Sequence, residues 1–213
     1  MTQETGMLFD LDGVLVDSEG EYSVFWGSIG DRYNMGPDFK DRIKGTTLTE
    51  ILDHFPEEDR EGIKAELYNF EGKMDYVVYP GVREFLEDLT RRGIPTAIVT
   101  SSDDAKMEKL FARRPELRHA ATKIVTADMV THSKPDPEGY ILGTGLIGVP
   151  VEKCFVFEDS INGLLAARAS GATVVGIATT NPAATVTELS DISVDHFSEL
   201  SVDMLLEFRK IRL

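Results

Sequence analysis

The chain has 213 residues, enough for one large domain or for a core carrying a smaller insert. Its 42% hydrophobic and 28% charged content is ordinary for a globular protein and excludes disordered, collagen-like and membrane-embedded classes. A formal net charge of -15 repels nucleic-acid phosphates and anionic lipid alike, so neither nucleic acid nor membrane is expected as a partner.

In chain order, the first apolar run, Met7 to Phe9, reads as a strand and passes directly into Asp10-Leu11-Asp12-Gly13. From about Glu19 to Tyr79 strand runs are missing. Helical patches appear instead at Tyr22 to Tyr33, Leu48 to Phe55 and Asp59 to Lys73, and Tyr79-Pro80-Gly81 looks like a return point, so this interval reads as an inserted helical lobe. Tyr22, Phe25, Trp26 and Tyr33 fall at helical intervals and read as packing inside it.

Val82, Phe85, Leu86 and Leu89 have helical spacing that ends at Gly93 and Pro95. Strand-like runs then recur at Thr96 to Val99, Lys123 to Val125, Cys154 to Phe157 and Thr173 to Ile177. Between the last two, Ile161 to Ala169 reads as a helix with Ser160 as N-cap and Gly171 as C-terminal cap. Strands alternating with helices predict a parallel sheet covered on both faces. Cys154 has no cysteine to pair with and sits in an apolar run, so a buried, inert thiol in a reducing compartment is expected. No leader and no spanning run is legible, which makes the cytoplasm the expected location.

Four strand ends carry the chemistry. Asp10 and Asp12 emerge where open parallel sheets bind ligands, and alternate strand positions let both address one substrate or one cation. A calcium loop is excluded, because Val14 and Leu15 stand where an oxygen ligand and a glycine are needed. Thr100, Ser101 and Ser102 offer hydroxyls and amides to phosphate oxygens. In Ser133-Lys134-Pro135-Asp136-Pro137 two prolines bracket a short loop that fixes one lysine ahead of a helix beginning near Glu138, and the Cys154 to Phe157 strand ends in Glu158-Asp159 before the Ser160 cap. A carboxylate nucleophile cannot approach a phosphate dianion without neutralisation. Mg²⁺ held by Asp10 and Asp159, together with the Lys134 ammonium, would supply it, with Thr100 orienting a phosphoryl oxygen and Asp12 as general acid and base.

These motifs, in this order, resemble the haloacid dehalogenase-like superfamily. The stretches FDLDGVLVDS (Phe9 through Ser18), SKPDPEGY and FEDSINGLLAARASGA look like its branch of beta-phosphoglucomutases and small sugar-phosphate phosphatases. The resemblance implies an α/β fold with a Rossmann-like, doubly wound parallel sheet core (residues 1–18 and 80–213) and an inserted α-helical cap (residues 19–79). It also implies that Asp10 is the nucleophile, that the Asp12 carbonyl completes a Mg²⁺ shell shared with Asp10, Asp159 and Glu158, and that Ser101 adds an amide contact to phosphate. Dehalogenase chemistry is disfavoured, since Asp12 is the acid and base typical of the phosphotransferases.

Two departures weigh against a mutase: Tyr22 stands where mutases carry a histidine, and Leu48 where an arginine after a Lys-Gly pair, here Lys44-Gly45, grips a distal phosphate. The expectation is therefore a Mg²⁺-dependent hydrolase of a small phosphorylated metabolite, with a sugar phosphate leading and monomer as the default state. Lys44, Thr46 and Thr47 are the candidate cap contacts. A receiver-type phosphorylation switch fits poorly, because a receiver has no long insert after its first strand. A non-catalytic relative finds no support, every motif carboxylate, Thr100 and Lys134 being present. His54, His119, His132 and His196 lack ligand spacing and read as surface or packing residues.

Overall fold

The computed structural model describes residues 5–212. Residues 1–4 and 213, the two ends of the expected core span, lie outside the described residues. Strand β1 (Gly6–Phe9) is wholly buried and leads into the Asp10 loop, after which β2 (Val16–Asp17) opens the helical lobe. The lobe holds α1 (Glu19–Arg32), α2 (Phe39–Arg42), α3 (Leu48–Leu52) and α4 (Glu57–Glu71), and β3 (Val77–Val78) closes it by pairing antiparallel with β2. Its helices enclose their own cluster, in which Trp26, Ile29, Phe39, Phe55, Ile63 and Leu67 are all buried. Burying six such side chains stabilises by roughly 1.5–3 kcal/mol each, which is why helices of only four and five residues persist here.

Beyond the lobe come α5 (Val82–Arg92), β4 (Thr96–Val99), α6 (Asp104–Arg113), α7 (Pro115–Ala120), β5 (Lys123–Val125), α8 (Glu138–Ile147), β6 (Cys154–Glu158), α9 (Ile161–Ser170), β7 (Thr173–Ile177), α10 (Ala183–Leu189), β8 (Ile192–Val194) and α11 (Val202–Arg212). Six strands form one sheet in the order β5-β4-β1-β6-β7-β8, with every pairing parallel. The fold is thus the expected Rossmann-like α/β arrangement, with β1 at the centre. Strand pleating sends alternate residues to opposite faces. Met7 and Phe9 pack with Phe85 and Leu89 of α5 and Leu110 of α6, whereas Leu8 between them packs with Tyr140 of α8 and Leu164 of α9.

The expected strands and the helix caps at Ser160 and Gly171 are present. Ser160 accepts the Gly163 amide at 3.0 Å, and Gly171 adopts φ 88°. An aromatic cluster braces the strand ends from below. Phe9 stacks on its register partner Phe157 at 4.5 Å, and Phe85 and Phe197 meet edge to face at 5.1 Å. Since Phe9 precedes Asp10 and Phe157 precedes Glu158, packing under the sheet fixes where two carboxylates emerge. No described helix is long and apolar enough to cross a membrane. Cys154 is buried, and burial pushes its thiol up to about 12, in keeping with an inert residue.

Candidate active site

The ends of β1, β4 and β6 and the loop before α8 converge at one edge of the sheet. Lys134 is buried with its Nζ 2.5 Å from Asp10 Oδ1 and 2.6 Å from Glu158 Oε1, so one ammonium joins two carboxylates. Burial alone would lower the Lys134 pKa, but the charges of Asp10 and Glu158 outweigh it and hold the proton above the ordinary lysine range. The Tyr140 hydroxyl donates to the same Glu158 oxygen at 2.5 Å. Glu158 Oε2 accepts the amides of Asp159 and Ser160 at 3.0 and 3.2 Å and the Ser160 hydroxyl at 3.2 Å. Both Glu158 oxygens are therefore committed. A Cβ on Gly163 would fall 1.9 Å from Oε1, so α9 starts directly against this carboxylate.

Asp159 is in the opposite condition. It is 1% exposed, and its Oδ1 has no hydrogen-bond partner. Burial, followed by the charges of Glu158 and Asp10, raises its pKa well above the carboxylate range. For Asp10, burial likewise raises the pKa while Lys134 pulls it back. One ligand oxygen from each of Asp10, Glu158 and Asp159 lies within 4.8 Å of the others. The chain passes close above: Gly13 sits at φ 81°, and a Cβ there would lie 2.0 Å from Asp159 Oδ2. An orphaned buried carboxylate oxygen beside a second carboxylate is a donor set suited to a hard divalent cation.

Asp12 has its own retinue. Ser18 donates to Oδ1 at 2.5 Å, while Ser102 at 3.2 Å and the Lys106 ammonium at 2.5 Å donate to Oδ2. Thr100, buried at the end of β4, accepts the Ser102 amide at 3.1 Å and donates its own amide to Val125 at 3.0 Å. The Lys134 loop is stapled by Glu138, whose oxygens accept the Thr131 and His132 amides at 2.9 and 2.8 Å; those bonds lower its pKa. His132, Asp136 and Glu138 also come within ligand distance of one another at the surface, but that loop-stapling role already occupies Glu138.

A cleft of about 820 Å³, open to solvent, lies between the helical lobe and the sheet edge. Asp10, Asp12, Asp159, Thr100, Ser101 and Lys44 all line it. Lys134 and Glu158 do not; they stand behind Asp10. Tyr22, Leu48 and Trp26 contribute to the lobe side. Lys44 pairs with Asp41 at 3.2 Å, and Thr46 is on the wall, but Thr47 is not: it caps α3 in a reciprocal box with Glu50, which removes it from the contact candidates. The lobe is seated on the core through Ser101 to the Gly45 carbonyl at 2.8 Å, Asn162 to the Lys44 carbonyl at 3.0 Å and Tyr68 to Asp103 at 2.7 Å.

The residues that sequence reading missed are Lys106, Ser102 as a partner of Asp12, Ser18 and Tyr140. Lys106 carried one usable signal. Asp103 caps α6 by accepting the Lys106 amide at 2.8 Å, and a lysine in the first turn of the helix that follows β4 stands near the strand ends.

Comparisons with known proteins give the family. The family model of haloacid dehalogenase-like hydrolases matches residues 5–171. Hexitol phosphatase A of Escherichia coli (strain K12) is 34% identical over 181 residues, covering 81% of this chain and 82% of its own. A phosphorylated carbohydrates phosphatase of Thermotoga maritima is 34% identical over 178 residues, covering 78% and 81%. In structure, beta-phosphoglucomutase from Clostridium difficile superposes with a TM-score of 0.83 over 99% of this chain and 100% of that one, at 20% identity, a likeness of fold. With the motif carboxylates, Thr100 and Lys134 gathered at one sheet edge and the family model spanning most of the sequence, this chain belongs to the haloacid dehalogenase-like hydrolases.

Proposed function

We propose that this chain is a Mg²⁺-dependent phosphatase of small phosphorylated metabolites, sugar or sugar-alcohol phosphates foremost, acting through an aspartyl-phosphate on Asp10. The observation that carries the reading is the contrast between the two acidic neighbours at the end of β6. Glu158 is saturated with hydrogen bonds and anchors Lys134, while Asp159 keeps a buried, unpartnered oxygen beside Asp10. Asp10 and Asp159, with the Asp12 carbonyl, would hold Mg²⁺, and Glu158 would be its neighbour. When bound, the cation neutralises charge on the phosphoryl group and the carboxylates.

The rest of the chemistry belongs to the chain. An Asp10 carboxylate oxygen attacks phosphorus, the bond from phosphorus to the ester oxygen breaks, and its electron pair leaves on that oxygen, which takes a proton from the Asp12 carboxyl. The Asp12 carboxylate then removes a proton from water. The resulting hydroxide attacks phosphorus, and the bond to the Asp10 oxygen breaks, freeing inorganic phosphate and restoring Asp10. Thr100 and Ser101 orient phosphoryl oxygens, and Lys134 holds the Asp10 oxygen not used in attack.

We read residues 19–79 as the cap and residues 1–18 and 80–213 as the core. The cap's apolar Trp26, Ile43 and Leu48 face polar core groups across the cleft, a two-sided wall suited to the carbon face and hydroxyls of a polyol. The relatives named for hexitol and phosphorylated carbohydrate substrates support the same class. The test is phosphate release from a panel of hexitol, hexose and pentose phosphates, with Mg²⁺ or with a chelator, by the native chain and by Asp10→Asn. Release that requires both Mg²⁺ and Asp10 is expected. Isomerisation of beta-glucose 1-phosphate without release would replace this reading with a mutase, and release that survives Asp10→Asn would refute the covalent route.

A further inference from the structure

Lys106 lies outside the motif residues, yet it reaches the Asp12 carboxylate from helix α6. Its side chain is 7% exposed, and its Nζ is 2.5 Å from Asp12 Oδ2. The same ammonium lies 4.4 Å from the centre of the Tyr22 ring, on the first cap helix. Tyr22 in turn donates to Glu71 at 3.1 Å, and Glu71 pairs with Lys109 at 3.0 Å. Lys109 is one helical turn beyond Lys106 and stands 4.1 Å from the centre of the Tyr68 ring. Helix α6 therefore grips the cap with two lysines, each over a cap tyrosine, and one of the two also holds the acid-base carboxylate of the core.

We propose that Lys106 is a positioning residue that couples the seating of the cap to the orientation of Asp12. An ammonium shared between a carboxylate on the core and an aromatic face on the cap is fully satisfied only when the cap is seated. Lifting α1 takes the ring away and re-exposes the charge to water, which weakens its hold on Asp12. Conversely, a carboxylate fixed at Oδ2 by Lys106 and Ser102 keeps the ammonium beneath the ring. The two arrangements favour each other, and by linkage the coupling is reciprocal. The inference rests on the phosphatase reading for the role of Asp12, but the link between Lys106 and cap seating stands on the contacts alone.

Two readouts separate these parts. The first compares kcat/KM for an alkyl phosphate, whose leaving oxygen needs a proton, with kcat/KM for p-nitrophenyl phosphate, whose leaving group departs as a stable anion. Because kcat/KM reports steps only through departure of the leaving group, water attack does not enter the comparison. Lys106→Met is expected to lower the alkyl value by about tenfold or more beyond any fall in the aryl value, and Lys106→Arg to recover most of that difference. A general loss of packing would lower both values together, so equal losses, or none, would overturn the positioning role.

The second readout needs no turnover. Trp26 is the single tryptophan, sits one turn beyond Tyr22 on α1 and lines the cleft. Its emission is expected to shift to the red in Lys106→Met and in Tyr22→Leu while far-ultraviolet circular dichroism stays native, and to return in Lys106→Arg. Unshifted emission in both variants would overturn the coupling. A native chain silent on both esters would refute the phosphatase reading, and the Trp26 comparison would then decide the coupling by itself.

Discussion

Tyr140 and Lys134 meet on a single oxygen of Glu158, the phenol at 2.5 Å and the ammonium at 2.6 Å. Glu158 is thereby a fixed post on which the cationic partner of Asp10 is mounted. Removing one donor from a buried, charge-assisted cluster costs about 1–3 kcal/mol. Tyr140→Phe is expected to fall in that range, and Glu158→Gln, which leaves Lys134 short of one of its two carboxylates, to cost about 3–5 kcal/mol. At about 2–4 °C per kcal/mol for a chain of this size, the two variants should be ranked by thermal unfolding, Glu158→Gln the less stable.

Gly13 is the second sensitive point of the site. Its φ of 81° and the 2.0 Å gap between a built Cβ and Asp159 Oδ2 make Gly13→Ala doubly unfavourable. Backbone strain alone should remove about 1–2 kcal/mol. Displacement of the Asp159 carboxylate should also abolish the rise in Tm that Mg²⁺ is expected to give the native chain. A Gly13→Ala protein still stabilised by Mg²⁺ as strongly as the native one would contradict the assignment of Asp159 as a ligand.

Glu19 supplies a pH signature. Burial, followed by the charge of Asp12, pushes its carboxyl from the ordinary 4.5 up to about 7. The fold favours the protonated form, so the stability it lends is complete below about pH 4.5 and is lost as pH rises through about 7. Glu19→Gln mimics that form at every pH. The variant should match the native chain near pH 4 and exceed it by about 1–2 kcal/mol above pH 7, since each tenfold change in proton affinity corresponds to about 1.4 kcal/mol and partial exposure reduces the total. Thermal melts of both proteins across that range measure it.

Lys44 lines the lobe side of the cleft while pairing with Asp41 at 3.2 Å. A cap contact away from the reacting atoms is made equally in the ground and transition states. Lys44→Ala should therefore raise KM about three- to tenfold with kcat largely retained, as steady-state kinetics on the preferred substrate would show. A fall in kcat with KM unchanged would move Lys44 out of substrate binding.

Much of this site was legible because parallel strands buried on both faces are written as continuous apolar runs, and the polar residue that ends such a run stands at the sheet edge. Phe9 before Asp10, Val99 before Thr100 and Phe157 before Glu158 needed no further knowledge. Roles were harder than positions. Glu158 and Asp159 are adjacent and chemically alike, and only the tertiary hydrogen bonds show that one is saturated and the other open. Lys106 was hidden for a different reason: α6 carries Lys106, Glu108 and Lys109 within one turn, and only a first-turn place behind the Asp103 cap sets Lys106 apart. The strands β2 and β3, two residues each, are too short for any periodicity, and α1 and α4 begin and end a few residues away from the helical patches that announce them, helix ends being the least sharply written part of the pattern.

The same two short strands bring the ends of the lobe together. Val16 lies opposite Val78 and Asp17 opposite Val77, so the chain leaves the core and rejoins it at adjacent points. To the sheet, the whole lobe is equivalent to a single hairpin loop, and the entropy of closing a loop grows only slowly with its length. Insertions or replacements between Asp17 and Val77 that keep the contacts of Ser18, Tyr22, Gly45 and Tyr68 with the core therefore leave the strand ends in place. A lineage built this way can exchange one repertoire of substrates for another while the machinery beneath is inherited intact.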